Sequence, residues 1–449
     1  MAEEEFDVIV LGMGPGGEDA AGRLAEAGLR VAAVESGLVG GECPYWGCIP
    51  SKMMVRAADL LAEGRRIPGI AGDSIVSPNW SWVAERIRDT TDDWDDKAAA
   101  GRFTDRGGHL VRGFGRITAP GEVTVADRVL KARKGIVIAT GSQASVPPVE
   151  GLAATPYWTN HEAIETDVLP ESLVVLGGGA IGAELAQVFA RFGSRVTVVE
   201  AMDRLLTVEE PEAGELIERV FADDGIEVRL NAKAERVSHG DRGFAVELGD
   251  GSRATGDRLL VATGRRCDLA ALGVGAVGLD ESAKFIETDG RMRAAEGVWA
   301  LGDVTGKGAF THVSMYQADI VVRDLLGEPV HEAEYQAVPR VTFTDPEIGA
   351  VGLTEAKARE RGLPVRTAST LIPSSSRGWI HKAGNEGFIK LVADGDILVG
   401  ATSAGPNGGE VLSMLTLAVQ ERVTINRLKH MIYAFPTFHR AVEAALKGL

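Results

Sequence analysis

The sequence contains very few cysteines: its 449 residues include only Cys43, Cys48 and Cys267. Three cysteines cannot form the disulfide framework of a small secreted domain, so the fold must rest on ordinary hydrophobic cores. The chain is 45% hydrophobic and is long enough for about two to four domains. A close cysteine pair in such a chain is more often catalytic or metal-binding than a structural crosslink.

An excess of positive charge is also missing. Lysine and arginine number 47 against 64 aspartates and glutamates, which gives a formal net charge of −17. An acidic surface repels phosphate backbones and anionic lipid, so we expect no nucleic-acid partner. The chain has no apolar run of about 18 residues, and its start, MAEEEFDVIVLG, has no signal-peptide pattern. We therefore expect no membrane span and a cytoplasmic location.

The first nucleotide-binding pattern is FDVIVLGMGPGGEDAAGRLAEAGLRVAAVE, at the start of the chain. A hydrophobic strand leads into Gly12, Gly14 and Gly17, a helix pattern follows, and a second strand ends at Glu35. Such glycines permit a tight turn and let the backbone approach a pyrophosphate, while the acidic residue binds a ribose. The segment predicts a dinucleotide-binding βαβ unit, and the alternative is an ordinary glycine-rich turn.

The same pattern recurs in ESLVVLGGGAIGAELAQVFARFGSRVTVVE. Its glycines are Gly177, Gly179 and Gly182, and its second strand ends at Glu200. A carboxylate at that position would repel a 2′-phosphate, which favours NADH over NADPH. Arg204 follows four residues later and could weaken this preference. The chain therefore predicts two bound dinucleotides.

The two cysteines of GGECPYWGCIPSK are separated by four residues. Five residues of regular helix rise about 7.5 Å, whereas a disulfide allows a Cα separation of roughly 4.4–6.8 Å. Cys43 and Cys48 can therefore bridge only across an irregular turn, which Pro44 and Gly47 favour. We expect a helix to start just after Cys48, where its N-terminus would stabilise the thiolate. A zinc site is a weaker interpretation because no further ligands cluster nearby, and two reduced core thiols are the third alternative.

Together these motifs resemble the class I pyridine-nucleotide disulfide oxidoreductases, the family of dihydrolipoamide dehydrogenase, glutathione reductase and mercuric reductase. The family motif G-G-T-C-x-N-x-G-C-x-P-S-K matches residues 40–52 except at Glu42 and Tyr45. The resemblance covers nearly the whole chain and includes VPRVTFTDPEIGAVGLTEAKA, which is similar to the start of the family's dimerisation domain. It implies an α/β fold with two Rossmann-like dinucleotide-binding domains plus a C-terminal α+β dimerisation domain.

The resemblance implies domain boundaries and a partner. The FAD-binding domain would span residues 1–150 and 275–330, the NAD-binding domain 151–274, and the dimerisation domain 335–449. The chain would form a homodimer with an active site shared across the interface. Residues 80–103 predict one charged helix that connects parts of the FAD-binding domain.

The resemblance also implies cofactor contacts. Glu35 would bind the adenosine ribose of FAD, and Asp303 the ribityl chain. The helix that begins at Thr311 would face the flavin N1–C2=O edge, where a helix N-terminus stabilises negative charge. The implied FAD-binding residues are Gly12, Gly14, Gly17, Glu35, Gly41, Lys52, Gly115, Thr140, Gly141, Asp303, Thr311 and His312. The implied NADH-binding residues are Gly177, Gly179, Ile181, Gly182, Glu200 and Gly264.

By the same resemblance, Cys48 would face the flavin and Cys43 would attack the substrate. Lys52 would lie near flavin N5, and Glu184 would pair with it, because an unpaired buried lysine is costly. No metal is implied.

The C-terminal segment YAFPTFHRAVEAAL departs from the family. Family members that reduce organic disulfides carry H-P-x-x-x-E there, but Phe435 stands at the histidine position and Arg440 at the glutamate position. General acid–base help is worth about 10²–10⁴-fold, so we do not expect efficient turnover of lipoamide or glutathione by that route. Tyr433 and His439 are candidate replacements, or they only pack at the interface. The absence of a C-terminal cysteine pair argues against mercury as the substrate.

We therefore expect an enzyme that passes electrons from NADH through FAD to the Cys43–Cys48 disulfide and then to an unidentified small-molecule acceptor. Phe435, Tyr45 and Trp46 would make the surroundings of the disulfide apolar, which would suit a flat acceptor such as a quinone. One alternative is a flavin that reduces a quinone directly, or a metabolite dehydrogenase, with the dithiol as relay or relic. The other is a non-catalytic flavoprotein subunit.

Overall fold

The structure is a computed structural model that describes residues 2–449. The helices are α1 (Pro15–Glu26), α2 (Glu42–Tyr45), α3 (Cys48–Arg66), α4 (Trp80–Thr90), α5 (Lys97–Asp105), α6 (Asn160–Glu165), α7 (Ala180–Phe192), α8 (Pro211–Asp223), α9 (Leu269–Leu272), α10 (Thr311–Leu326), α11 (Glu355–Glu360), α12 (Ser376–His381), α13 (Gly408–Gln420), α14 (Ile425–Lys429) and α15 (His439–Leu446).

The strands of the first half are β1 (Ala2–Leu11), β2 (Val31–Glu35), β3 (His109–Arg112), β4 (Gly115–Ala119), β5 (Glu122–Val125), β6 (Arg128–Ile138), β7 (Gln143–Ala144), β8 (Ser172–Leu176), β9 (Arg195–Val199) and β10 (Glu227–Arg229). The strands of the second half are β11 (Ala234–Gly240), β12 (Gly243–Leu248), β13 (Arg253–Gly256), β14 (Arg258–Val261), β15 (Arg265–Arg266), β16 (Arg293–Ala295), β17 (Val298–Ala300), β18 (Pro339–Thr342), β19 (Glu347–Gly352), β20 (Val365–Leu371), β21 (Phe388–Asp394) and β22 (Ile397–Gly405).

The chain divides into two compact units. The first consists of the chain up to Pro50 together with Arg86–Ser145 and Arg265–Tyr335. The second consists of Ser51–Glu85, Val146–Gly264 and Gln336–Leu449. The three domain boundaries expected from the sequence stay a prediction.

The first unit is built on a sheet with the strand order β16-β17-β6-β1-β2-β3. The strands β17, β6, β1, β2 and β3 are parallel, and the end of β1 is buried over residues 8–11, with Ile9 and Val10 fully inaccessible. Burial on both faces explains why such a strand is a continuous hydrophobic run. Because parallel strands end at the same edge, the loops after β1, β2, β6 and β17 meet there, as in other dinucleotide-binding sheets.

The second unit repeats this arrangement in a parallel sheet with the order β10-β9-β8-β14. The loops after β8, β9 and β14 lie at its carboxyl edge. A three-stranded antiparallel sheet, β11-β12-β13, completes this part of the unit.

The C-terminal part of the second unit is an antiparallel sheet with the order β18-β19-β22-β21-β20. The helices α13 and α15 pack against it through a core that includes Leu391, Leu412, Leu415, Val442 and Leu446. The α/β fold class expected from the sequence is therefore confirmed. Within residues 2–449, no helix has the length and apolar character needed to cross a membrane.

The expectation of one continuous helix over residues 80–103 is wrong. The structure has two helices there, α4 and α5, and Asp92, Asp93 and Trp94 between them take φ values of 50°, 51° and 58°. Left-handed backbone cannot continue a right-handed helix, so the helix has to end. A smaller correction concerns α3, which begins at Cys48 itself rather than after it.

Candidate active site

The first glycine-rich loop forms a cradle at the N-terminus of α1. Gly12 has a φ of +92°, and a Cβ atom there would lie 2.4 Å from the carbonyl oxygen of Ala139. A Cβ atom on Gly17 would lie 2.0 Å from the carbonyl oxygen of Gly12, whereas one on Gly14 would meet no atom within 4 Å. The loop is thus packed on one side and open at Gly14, where a pyrophosphate can approach the helix N-terminus. The geometry of this loop fits the pyrophosphate of a dinucleotide such as FAD.

Glu35 lies at the end of β2 and is fixed by the loop around it. Its Oε2 accepts a hydrogen bond from the backbone N–H of Met13 at 2.6 Å, and its Oε1 accepts one from Gly37 at 2.7 Å. Each carboxylate oxygen can accept further hydrogen bonds. The geometry therefore fits a carboxylate that is held in place to receive ribose hydroxyls.

Asp303 is held by two residues that the sequence did not single out. Ser142 donates a hydrogen bond to Asp303, and Arg265 Nε donates to Ser142 Oγ at 2.8 Å. Arg265 Nη1 also lies 3.7 Å from Glu42 Oε2. Glu42 directly precedes Cys43 in the sequence. The sequence does contain a pattern that marks these two residues, because Ser142 and Arg265 each directly follow an Ala-Thr-Gly at the end of a hydrophobic strand. Their mutual contact depends on the pairing of β7 with β15.

Two other predicted FAD residues have structural explanations of their own. A Cβ atom on Gly115 would lie 2.8 Å from Leu11 Cδ2, so this glycine permits close packing between β4 and the central sheet. A Cβ atom on Gly41 would lie 2.8 Å from the Cα atom of Gly14, so the segment that carries the cysteines packs directly on the nucleotide loop. Thr140 and Gly141 follow β6 at the same edge.

The second glycine-rich loop reproduces the first. Gly177 has a φ of +106°, and a Cβ atom on Gly182 would lie 2.0 Å from the carbonyl oxygen of Gly177. A Cβ atom on Gly179 would meet no atom within 4 Å. Ile181 is partly exposed in the first turn of α7, and Gly264 follows β14 at the carboxyl edge of the sheet.

Glu200 and Arg204 have local partners in this second loop. The Oε2 atom of Glu200 accepts from the backbone N–H of Gly178 at 2.7 Å, and Oε1 accepts from Met202 at 2.8 Å. Arg204 Nη2 donates to the carbonyl oxygen of Thr207 at 3.0 Å. The carboxylate of Glu200 is thus held at the end of the second βαβ unit, where its oxygens can accept further hydrogen bonds.

Cys43 and Cys48 are brought together in the first unit, where they are not joined by a disulfide. The helix α2 ends at Tyr45, and the chain turns at Trp46 before α3 begins, which is the irregular turn that the spacing predicts. Hydrogen bonding with Cys48, together with burial, raises the pKa of the Cys43 thiol far above its usual value. No group of three or more His, Cys, Asp or Glu side chains in residues 2–449 could hold a metal ion.

Thr311 contacts the thiols, which the sequence did not predict. Its Oγ1 lies 3.4 Å from the Sγ atom of Cys48, and its hydroxyl also hydrogen-bonds Cys43 and so partly offsets the rise in the pKa of that thiol. Thr311 is the first residue of α10, a 16-residue helix, so the positive end of the helix dipole lies at the sulfurs. His312 follows it, with its ring stacked on that of Phe310.

Lys52 and Glu184 meet in the second unit. Lys52 Nζ lies 2.7 Å from Glu184 Oε2, and the side chain of Glu184 is almost fully buried. Glu184 Oε1 accepts a second hydrogen bond, from the backbone N–H of Phe343 at 2.8 Å. The Lys52 ammonium group also lies 4.8 Å from the centre of the Phe343 ring. The buried carboxylate is therefore paired and satisfied, which makes its burial affordable.

The side chains of Tyr433, Phe435 and His439 in the C-terminal segment differ in their exposure. Tyr433 is buried, its hydroxyl donates to the carbonyl oxygen of Leu428 at 3.1 Å, and burial raises its pKa to about 12. Phe435 is 68% exposed, and the Arg440 guanidinium lies 5.9 Å from its ring centre. His439 is the half-buried first residue of α15.

A chain with two such glycine-rich loops, and with a pair of thiols packed beside the first, falls in the class of flavin- and pyridine-nucleotide-dependent oxidoreductases. Residues 6–318 match the family model described as pyridine nucleotide-disulphide oxidoreductase, and residues 338–446 match the dimerisation domain of that family. The chain belongs to the pyridine nucleotide-disulphide oxidoreductase family.

Known relatives match nearly the whole chain. A dihydrolipoyl dehydrogenase from Chlorobaculum tepidum is 34% identical, over 99% of this chain and 97% of that protein. A mercuric reductase from Lysinibacillus sphaericus is 29% identical, over 99% of this chain and 82% of that protein. Among solved structures, the HOCl-induced flavoprotein disulfide reductase RclA from Escherichia coli superposes with a TM-score of 0.85 at 27% identity, covering 98% of this chain and 99% of that chain.

The family, the fold and the enzyme class expected from the sequence are therefore confirmed. The chain is a flavoprotein oxidoreductase of a family that uses FAD and a pyridine nucleotide. Its C-terminal part is a dimerisation domain, which supports a homodimer.

Proposed function

We propose that the chain oxidises NADH, passes the electrons to the Cys43–Cys48 disulfide, and delivers them to a small-molecule acceptor. The contact of the two thiols with each other and with Thr311 carries this proposal. Bound FAD would supply the two-electron chemistry between the nicotinamide and the sulfurs. The balance is simple: one hydride from NADH and one proton convert the disulfide into two thiols.

The residues proposed to hold FAD are the twelve expected from the sequence, joined by Ser142 and Arg265. NADH is proposed over NADPH because Glu200 is held at the end of the second βαβ unit and Arg204 has a local acceptor. We also propose the domain boundaries given above, a homodimer with a shared active site, and a cytoplasmic location.

The sulfurs would have unequal roles. Cys48 lies at the first residue of α3 and against the first residue of α10, so two helix N-termini favour its thiolate. Cys43 has a raised pKa and is the protonated thiol at neutral pH. Its attack on a substrate therefore requires a base. His439 is the better candidate, since the hydroxyl of Tyr433 is engaged within its own subunit.

Lys52 would act as a fixed positive charge near the reacting flavin ring. Its ammonium is held by the buried carboxylate of Glu184, which is itself held by the backbone of Phe343. This chain of hydrogen bonds from the Phe343 backbone through Glu184 to Lys52 restricts the positions that the ammonium group can take. A fixed cation costs no reorganisation when negative charge develops in the reaction.

An anaerobic titration with NADH tests the main proposal. The wild-type protein should take up two electrons into the thiols and develop long-wavelength absorbance, which Cys48→Ser should abolish while Cys267→Ser should not. A reduced spectrum of Cys48→Ser that equals the wild type would refute the dithiol role. Lipoamide, a soluble quinone and mercuric ion, offered in turn to the reduced protein, would then identify the acceptor class.

Direct reduction of a quinone is the second candidate. It is favoured by the raised pKa of Cys43, which slows attack on an organic disulfide. Steady-state quinone reduction by Cys43→Ser separates the two candidates, because full activity indicates direct reduction and loss indicates the relay. A non-catalytic subunit would be indicated if NADH failed to bleach the flavin at all.

A further inference from the structure

A strained turn lies between α4 and α5, outside every residue assigned above. Asp92, Asp93 and Trp94 take left-handed φ values in succession, and none is glycine. Residues with a Cβ atom enter this region singly and at a cost, and a bulky side chain such as tryptophan does so rarely. Such strain persists only where the surrounding structure holds it, and it clusters at functional sites.

The turn holds one end of the segment that carries the cysteines. The indole N–H of Trp94 donates to the carbonyl oxygen of Tyr45 at 3.3 Å. Tyr45 is the last residue of α2, where a helix leaves its carbonyl groups without a helical donor. Trp94 therefore supplies the missing donor within the turn between Cys43 and Cys48.

The next residues hold the other end of the same segment. Asp96, which is buried, accepts from the backbone N–H of Val39 at 2.6 Å and from Arg112 Nη2 at 2.8 Å. Arg112 Nη1 in turn donates to the carbonyl oxygen of Gly37 at 2.9 Å. Residues 92–96 thus contact the chain both before Gly40 and at Tyr45.

We propose that residues 92–96 form a clamp on residues 37–48, the segment that carries Cys43 and Cys48. Within this clamp, Trp94 is a positioning residue for the Cys43 thiol. Cys43 hydrogen-bonds Cys48 and is partly buried, and the Tyr45–Gly47 turn joins the two cysteines, so a shift of this turn would change both features. Without the indole donor, the Tyr45 carbonyl has to turn towards water, and Cys43 moves with it. The proposal rests on the proposed function only in taking Cys43 as the reacting thiol.

The test measures thiol chemistry without NADH. Trp94→Phe removes the indole donor and keeps an aromatic ring, although a smaller one. The holoenzyme is reduced with excess tris(2-carboxyethyl)phosphine and treated with iodoacetamide from pH 6 to 10, and labelling of Cys43 is followed by peptide mass. We expect Cys43 to react about threefold to tenfold faster at pH 8, because a net hydrogen bond is lost, and its apparent pKa to fall. Failure of electron transfer from NADH would not affect this measurement.

Trp80→Phe is the matched control, since Trp80 Nε1 donates to the carbonyl oxygen of Thr166 at 3.0 Å in the second unit. In this control the rate of Cys43 labelling should stay within about twofold of the wild-type rate. That change is smaller than the one expected from the loss of one net hydrogen bond. Equal acceleration in both tryptophan variants would indicate general loosening and would overturn the proposal. Asp96→Asn, which weakens the other end of the clamp, should accelerate labelling if Trp94→Phe does not fold. The proposal would also be overturned if Trp94→Phe and Asp96→Asn both fold, retain FAD and label Cys43 at the wild-type rate.

Discussion

The two glycine-rich loops share one backbone geometry but differ in what surrounds them. In both, the first glycine has a left-handed φ, the last would clash at 2.0 Å with the carbonyl of the first, and the middle one faces open space. In the first loop the residue after Gly12 is Met13, which is fully buried, whereas Gly178 takes that place in the second. The first loop also packs against Gly41, in the segment that carries Cys43 and Cys48, because a Cβ atom on Gly41 would lie 2.8 Å from Gly14 Cα. The two loops thus share one backbone frame and differ in the residues that surround it.

The largest expected effects come from the last glycine of each loop. Gly17→Ala and Gly182→Ala place the same Cβ atom 2.0 Å from a backbone oxygen. Overpacking costs about 1–3 kcal/mol, which corresponds to roughly fivefold to 150-fold in a binding constant. We expect Gly17→Ala to lose bound flavin, seen in the visible absorbance per protein. Gly182→Ala should keep the flavin and lose only its reduction by NADH. Loss of flavin from both variants would break the comparison.

The acidic residues of the two loops provide the next test. Glu200→Gln removes the charge that disfavours a 2′-phosphate, and we expect the NADH-over-NADPH preference in kcat/KM to fall by about tenfold. Glu35→Gln is the matched variant in the first loop and should leave that preference unchanged while weakening flavin retention. A preference that moves equally in both variants would contradict the assignment of the second loop to the pyridine nucleotide.

A moderate effect should be confined to the first unit. Ser142→Ala removes the hydroxyl that joins Arg265 to Asp303. One net hydrogen bond is worth about 0.5–1.5 kcal/mol, so the Kd for FAD, measured by flavin fluorescence during release, should rise by about twofold to tenfold. Ser172→Ala removes a buried hydroxyl from the second unit and serves as control. Equal changes in both variants would show that the Ser142 contact is not specific to the flavin site.

The smallest effect is expected at Tyr433, outside both loops. Tyr433→Phe deletes the hydrogen bond to the carbonyl of Leu428 and should lower the free energy of unfolding by about 1 kcal/mol. Flavin content and turnover should not change, whereas His439→Ala should lower turnover with a disulfide substrate. A tenfold loss of turnover in Tyr433→Phe would instead make this tyrosine part of the chemistry.

Local patterns were sufficient for much of the fold. The βαβ units could be predicted because strand, glycine turn, helix and terminal acid follow each other within about 30 residues, as such a unit requires. The break between α4 and α5 could not, because WSWVAERIRDTTDDWDDKAAAGRF contains neither glycine nor proline at residues 92–94. There several tertiary contacts, among them those of Trp94 with Tyr45 and of Asp96 with Val39, hold a backbone conformation that the local sequence does not indicate.

The sequence by itself determined the family, the two nucleotide loops and the pairing of the cysteines in one turn, since each depends on residues close together in the chain. Only the tertiary structure decided which distant groups meet them. Thr311 comes to the sulfurs, and Ser142 and Arg265 come to Asp303, because parallel strands bring loops from distant segments to one sheet edge. Tyr433 turns into its own core for a related reason. A buried hydroxyl needs an acceptor, and the fold supplies one in Leu428.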